Sequence, residues 1–234
     1  MGFYLLVFVR VGPLHSNCMD YGVALLGDYQ AGKTMLRKRL QRRPEPFADK
    51  HTPTIGADFA VFDEEGLGGG DDGDGGHQQL WDMAGASRFR PIVRNYRRRW
   101  SVCVLVFDVT CRASFDYLLA TALNLFQLRK CDRAAPSPEA PPCVVIVVGA
   151  KIDLVGTAEE DGAESGEPRA HRREVTREEA ERVAFGELDA DAYVEVSAKT
   201  GEGVEYLRRV IRRCAPQPRS RVGAVKLPVP AAFV

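Results

Sequence analysis

The residues Gly27-Asp28-Tyr29-Gln30-Ala31-Gly32-Lys33-Thr34 have the spacing GxxxxGKT. Small residues at that spacing let backbone N–H groups converge on phosphate oxygens, and a helix starting at the loop's end adds a favourable dipole. Lys33 can neutralise the outer phosphates, and the Thr34 hydroxyl can ligate magnesium. Asp28, Tyr29, Gln30, Ala31, Gly32, Lys33, Thr34 and Met35 are therefore the candidate phosphate-binding residues. The plainer alternative is an ordinary Gly-rich turn. An apolar strand before the loop and helical spacing after it argue against that.

A phosphate loop chooses neither the base nor the reaction, since kinases and ATPases share it. Three later motifs narrow the choice. In Trp81-Asp82-Met83-Ala84-Gly85, Asp82 can hold the magnesium shell and the Gly85 N–H can approach the terminal phosphate. In Gly149-Ala150-Lys151-Ile152-Asp153, the Asp153 carboxylate can accept two donors from a guanine edge, a pattern adenine does not offer. Ser197-Ala198-Lys199 can close over the base. Each short motif is weak alone. Four in this order, each after an apolar strand, point to a guanine nucleotide with magnesium.

Strands and helices must alternate to place these loops. Residues 21–26, 58–63, 78–81, 101–107, 143–148 and 193–196 read as strands. Residues 34–42, 114–130, 176–187 and 203–214 read as helices, the third opening with the capping box Thr176-x-x-Glu179. This order predicts an α/β domain with a mostly parallel sheet, helices on both faces, and one antiparallel edge strand from the hairpin 58–81. Ligands in such sheets bind at the carboxyl ends of the strands.

The nucleotide-binding domain is expected over residues 21–214, after an N-terminal extension (1–20) and before a C-terminal tail (215–234). Residues 1–18 read as a weakly ordered extension, as sequence upstream of a start at Met19, or as an added edge strand. Residues 66–76, 134–142 and 156–173 read as surface insertions. The Gly/Asp run 66–76 lacks the ligand spacing and closing Glu of a calcium loop. Acids and bases balance at 32 each, so no global field points to nucleic acid or an anionic membrane. No two of the six Cys form a CxxC pair, which argues against zinc. Cys103 and Cys143 lie in apolar runs and read as core thiols, a usage that fits a reducing compartment. No apolar run reaches the ~20 residues needed to span a bilayer, and residues 3–9 make a poor signal peptide.

The chain resembles a small GTPase of the Ras superfamily, and within it most closely the Rab family. The resemblance is carried by Thr54-Ile55-Gly56-Ala57-Asp58-Phe59, Leu80 to Gly85, Arg88-Phe89-Arg90 and Val106-Phe107-Asp108-Val109-Thr110. It implies a P-loop NTPase fold, the small G domain, with a six-stranded sheet and about five helices. It implies GTP/GDP as ligand, Mg2+ held by Thr34, Thr54 and Asp82, and Thr54 as the first-switch threonine that senses the terminal phosphate. It places Phe47, Ala150, Lys151, Asp153, Ser197, Ala198 and Lys199 around the guanine, with Phe47 packed on the base or on the core. The implied partners are an exchange factor, an activating protein and effectors, all met through two switch segments at 50–60 and 83–100. The implied role is a nucleotide-dependent switch in vesicle traffic, cytoplasmic or peripheral on endomembranes.

Several positions depart from the family pattern. Ala86 stands where a Gln orients the attacking water, and Ser87 follows where a Glu is usual. Slow intrinsic hydrolysis is expected, and no residue is assigned as catalytic. Tyr29 occupies a loop position usually held by a small residue, where it could block an incoming catalytic Arg or lie exposed. Ala150 replaces the Asn of the NKxD motif, which removes a hydrogen-bonding group worth about 1–3 kcal/mol. Residues 215–234 contain no Cys for prenylation, leaving either no lipid anchor or an altered terminus. The bases Arg94, Arg97, Arg98 and Arg99 read as a solvated helix face before an acidic-partner site. The alternatives to a slow switch are a catalytically impaired GTP-binding scaffold and, behind it, a P-loop kinase or ATPase.

Overall fold

The computed structural model describes residues 22–41, 53–63, 77–89, 93, 96, 100–126, 143–156 and 172–214. Six strands form one sheet: β1 (Gly22–Gly27), β2 (Ala57–Asp63), β3 (His77–Met83), β4 (Trp100–Asp108), β5 (Val144–Ala150) and β6 (Ala192–Val196), in the spatial order β2-β3-β1-β4-β5-β6. All neighbours run parallel except β2, which pairs antiparallel with β3 at the edge. This is the mostly parallel sheet with one antiparallel edge strand that the sequence pattern leads one to expect.

Four α-helices are described: α1 (Lys33–Leu40), α2 (Arg112–Phe126), α3 (Arg177–Gly186) and α4 (Val204–Cys214). They cover both faces. On one face, Leu36 and Leu40 of α1 and Leu207, Val210 and Ile211 of α4 pack with Val23, Val104 and Val148. On the other, Phe115 and Leu118 of α2 and Ala180 and Ala184 of α3 pack with Leu26, Leu105 and Val147. Strands buried on both sides carry apolar residues at consecutive positions, which is why β1, β4 and β5 read as continuous apolar runs. Cys103 and Cys143 are buried and in no disulfide, as core thiols should be.

The Thr176 cap is formed, its hydroxyl accepting from the Glu179 N–H at 3.2 Å. Two boundaries differ from expectation in ways that matter. Helix α2 starts at Arg112, because Glu174 accepts from the otherwise free Arg112 N–H at 2.6 Å. Asp82 and Met83 lie inside β3 rather than after it, because Asp82 pairs across the ladder with Asp58 and, on the other side, with Leu25. Asp82 is thus held by strands on both sides, with only Ala84 and Gly85 in the following loop. The three expected insertions, apart from residues 156, 172 and 173, lie outside the described residues, as do the N-terminal extension, the C-terminal tail, Phe47 and the arginines at 94 and 97–99. No described helix is long and apolar enough to cross a membrane.

Candidate functional site

The phosphate loop leaves the end of β1 and enters α1 at Lys33. Gly27 is forced by packing, since a Cβ there would sit 2.0 Å from the Val106 carbonyl oxygen of β4. Gln30 takes a left-handed φ of 62°, a conformation a non-Gly residue adopts at a cost. Lys33 is buried, and its Nζ donates to the Asp28 carbonyl at 2.5 Å, so the ammonium folds back over the loop. Burial depresses its pKa to about 8, against the opposing pull of the Asp82 and Asp28 carboxylates. A buried ammonium with few partners favours an arriving polyanion. Tyr29 is 45% exposed, which places its ring at the surface of the loop.

Thr34 follows Lys33 and points toward the end of β3. Its Oγ1 donates to Asp82 Oδ2 at 2.6 Å and lies 3.0 Å from Thr54 Oγ1. Thr54 Oγ1 also donates to Asp82 Oδ2, at 3.3 Å. Three oxygen-bearing side chains from α1, the segment before β2, and β3 therefore meet at one point. Asp82 is fully buried, and burial raises its pKa despite the Thr34 hydroxyl and the Lys33 and Arg37 charges nearby. Its Oδ1 has no hydrogen-bond partner among the described residues. Two hydroxyls and a carboxylate with a free oxygen suit a hard, oxygen-seeking cation such as magnesium. Thr34, Thr54 and Asp82 could hold it.

Gly85 packs directly on this loop. A Cβ there would lie 2.4 Å from Asp28 C and Tyr29 N, so only glycine permits the approach. Tyr117 of α2 donates to the Gly85 carbonyl at 2.7 Å and fixes the peptide from behind. Ala86 follows with no polar side-chain atom, and Ser87–Phe89 form a short 3-10 turn.

At the other end of the sheet, Ser197 donates to Asp153 Oδ1 at 2.6 Å, and the Thr200 N–H donates to Ser197 Oγ at 3.0 Å. Ser197 is fully buried, so Asp153 is aimed by a fixed donor. Lys151 takes a left-handed φ of 66° and pairs with Asp108 Oδ2 at 2.7 Å. Ala150 ends β5, buried, and the Val109 N–H donates to its carbonyl at 3.1 Å.

Four contacts escaped sequence reasoning. Arg39 of α1 donates from Nε to the Ala198 carbonyl at 2.6 Å and from Nη2 to the Lys199 carbonyl at 2.7 Å. Arg208 donates to the Arg39 carbonyl at 3.0 Å at the end of the same helix. Lys151 pairs with Asp108, as above. Phe59, Trp81 and Tyr96 form a run of rings, with centroids 5.6 and 5.1 Å apart. Only the last left a trace in the sequence, as an aromatic at each strand of the hairpin. The arginines look like solvated helix charges until the fold supplies their distant partners.

A family model described as Ras family matches residues 22–215. The chain is 32% identical over 187 residues to the human Ras-related protein Rab-30, covering 80% of this chain and 75% of that protein. It is 32% identical over 185 residues to Ras-related protein Rab-4 of Dictyostelium discoideum, covering 78% and 73% of the two chains. It is 33% identical over 198 residues to the Ras-like GTP-binding protein RYL2 of Yarrowia lipolytica, covering 82% and 79%. With the six-stranded sheet already described, these similarities make the chain a divergent, Rab-like member of the Ras family of small GTPases, the nucleotide-dependent switches.

Proposed function

We propose that this protein binds GTP and GDP with magnesium and switches between two states while hydrolysing GTP slowly, in the service of intracellular vesicle traffic. The observation that carries the proposal is the meeting of Thr34, Thr54 and Asp82 at one point. The loop backbone from Asp28 to Met35, Lys33 and the Gly85 N–H hold the phosphates. Thr34, Thr54 and Asp82 would hold the metal, which would neutralise phosphate charge. Thr54 links the metal site to the strand β2, so the state of the terminal phosphate is felt at the protein surface. Asp153, aimed by Ser197, reads the guanine; Lys151, Ala198 and Lys199 frame it, with Phe47 assigned to the base from the sequence alone.

Hydrolysis is slow because Ala86 has nothing with which to orient the attacking water. An activating protein can still supply an Arg and a water-positioning group, the Arg alone being worth roughly a thousandfold or more. The Phe59, Trp81 and Tyr96 rings, with Phe59 exposed, suit effector docking. Attachment to endomembranes would then come through partners.

Ala86 and Ala150 favour a second reading, a GTP-binding scaffold without turnover. Single-turnover hydrolysis of radiolabelled GTP by the purified protein with magnesium separates the two. A slow rate above the buffer rate, with GDP found on the purified protein, supports the switch. A rate equal to buffer, with GTP still bound, supports the scaffold.

A further inference from the structure

Helix α1 turns a cation toward the sheet. Arg37 is 7% exposed, although it lies only four residues beyond Lys33 on a helix otherwise anchored by Leu36 and Leu40. Its Nη2 lies 3.2 Å from Asp58 Oδ2. Its Nε is buried with no hydrogen-bond partner among the described residues. Asp58 stands directly opposite Asp82 in the β2–β3 ladder. Directly opposed residues present their side chains on one face of the sheet, and like charges there repel. The Arg37 charge also acts on Asp82. One guanidinium therefore serves two carboxylates: the exposed Asp58, four residues after Thr54, and the fully buried Asp82.

We propose that Arg37 is a positioning residue that sets the magnesium affinity of the site by dividing its charge between Asp58 and Asp82. The inference rests on reading Thr34, Thr54 and Asp82 as the magnesium site. The Asp58 carboxylate holds the guanidinium, and Asp82 stays available to the metal. With a neutral side chain at position 58, Arg37 has one carboxylate left and competes with the metal for it. If Arg37 is removed, Asp58 and Asp82 together make the site more negative and the metal binds more tightly. The signs of the two single substitutions are opposite, which a merely structural role does not produce.

The test follows release of a fluorescent GDP analogue from the full chain over a series of free Mg2+ concentrations. The proteins compared are the wild type, R37L, R37K, D58N and the double variant R37L/D58N. Asn at position 58 keeps the oxygen that accepts from the Phe59 N–H. The Mg2+ concentration for half-maximal slowing of release is expected to rise about two- to fivefold in D58N and to fall by a similar factor in R37L, the size of a partly exposed charge pair. R37K should stay near wild type, and the double variant should return to within about twofold of it. Thermal melting without Mg2+ checks that each variant folds. If R37L does not melt cooperatively, R37K and D58N decide: R37K near wild type with D58N raised supports the proposal, and equal rises in both overturn it. Rises in all variants with additive losses also overturn it. Release from the wild type that ignores Mg2+ is a different result, because it overturns the magnesium site itself.

Discussion

Thr34 Oγ1 and Asp82 Oδ2 lie 2.6 Å apart, although one residue lies in the first turn of α1 and the other is the last but one of β3. Each is useful to a metal only because the other is held beside it. Thr34→Val keeps the volume and removes the hydroxyl. The variant should weaken Mg2+ about tenfold or more, in the range seen when the surroundings of a metal site are disturbed. Titration of nucleotide release against Mg2+ measures this, and an unchanged Mg2+ dependence would remove Thr34 from the site.

Ala86→Gln should raise intrinsic hydrolysis. Correct placement of a reacting group is worth one or more powers of ten, so about a tenfold gain in single-turnover rate is expected. Nucleotide affinity should change little, since Ala86 contributes no polar group to the ground state. A rate that does not move would show that something other than the missing amide limits catalysis, Tyr29 being the first suspect.

Ala150→Asn should slow nucleotide release. The restored group can bond the base and neighbouring loops, and a buried hydrogen bond of about 1–3 kcal/mol corresponds to roughly ten- to hundredfold in affinity. Dissociation rates of GDP from the two proteins provide the comparison. Faster release from the Asn variant would mean that the tight packing around Ala150 has no room for the amide.

Arg39→Ala should loosen the base end of the site while sparing the phosphates. Its two hydrogen bonds tie α1 to the carbonyls of Ala198 and Lys199. Hydrogen bonds from a charged donor are worth about 1.5–3 kcal/mol in favourable settings, and partial exposure puts this pair at the lower end. GDP release should quicken about tenfold, with the Mg2+ requirement unaltered. A shift in that requirement would contradict the division between the two ends.

Nucleotide binding should be coupled to proton uptake at alkaline pH. Burial sets the Lys33 pKa at about 8 in the free protein, and phosphates raise it by favouring the charged ammonium. Near and above pH 8 the free protein is partly deprotonated at Lys33, so binding takes up a proton and affinity falls as pH rises. Well below that pH the lysine is charged in both states and no proton moves through it. Calorimetry in buffers of different ionisation enthalpy reads the uptake directly, and the Lys33→Met variant should lose it.

Much of the fold was legible because strands buried on both faces, such as residues 144–148, leave continuous apolar runs that loops and helices interrupt. The loop Gly27 to Thr34 was legible because its spacing is dictated by phosphate geometry. Arg37 and Arg39 were not. Whether an arginine on a short helix is solvated, pairs with a strand carboxylate, or clamps a loop far along the chain is decided by tertiary neighbours. The end of β3 was misplaced for a related reason: Asp82 looks like a turn residue until the ladder with Asp58 buries it in a strand. The departures at Ala86 and Ala150 were plain in the sequence, but the structure adds that Ala150 is buried and Ala86 lies beyond a glycine packed on the phosphate loop.

The most direct test is displacement of a fluorescent GDP analogue by unlabelled GDP, ADP and XDP, using the wild type and Asp153→Asn in the presence of Mg2+. The arrangement of Asp153 and Ser197 predicts displacement of the wild type's ligand by GDP and not by ADP, with preference moving toward XDP in the variant. Equal displacement by GDP and ADP would contradict guanine recognition.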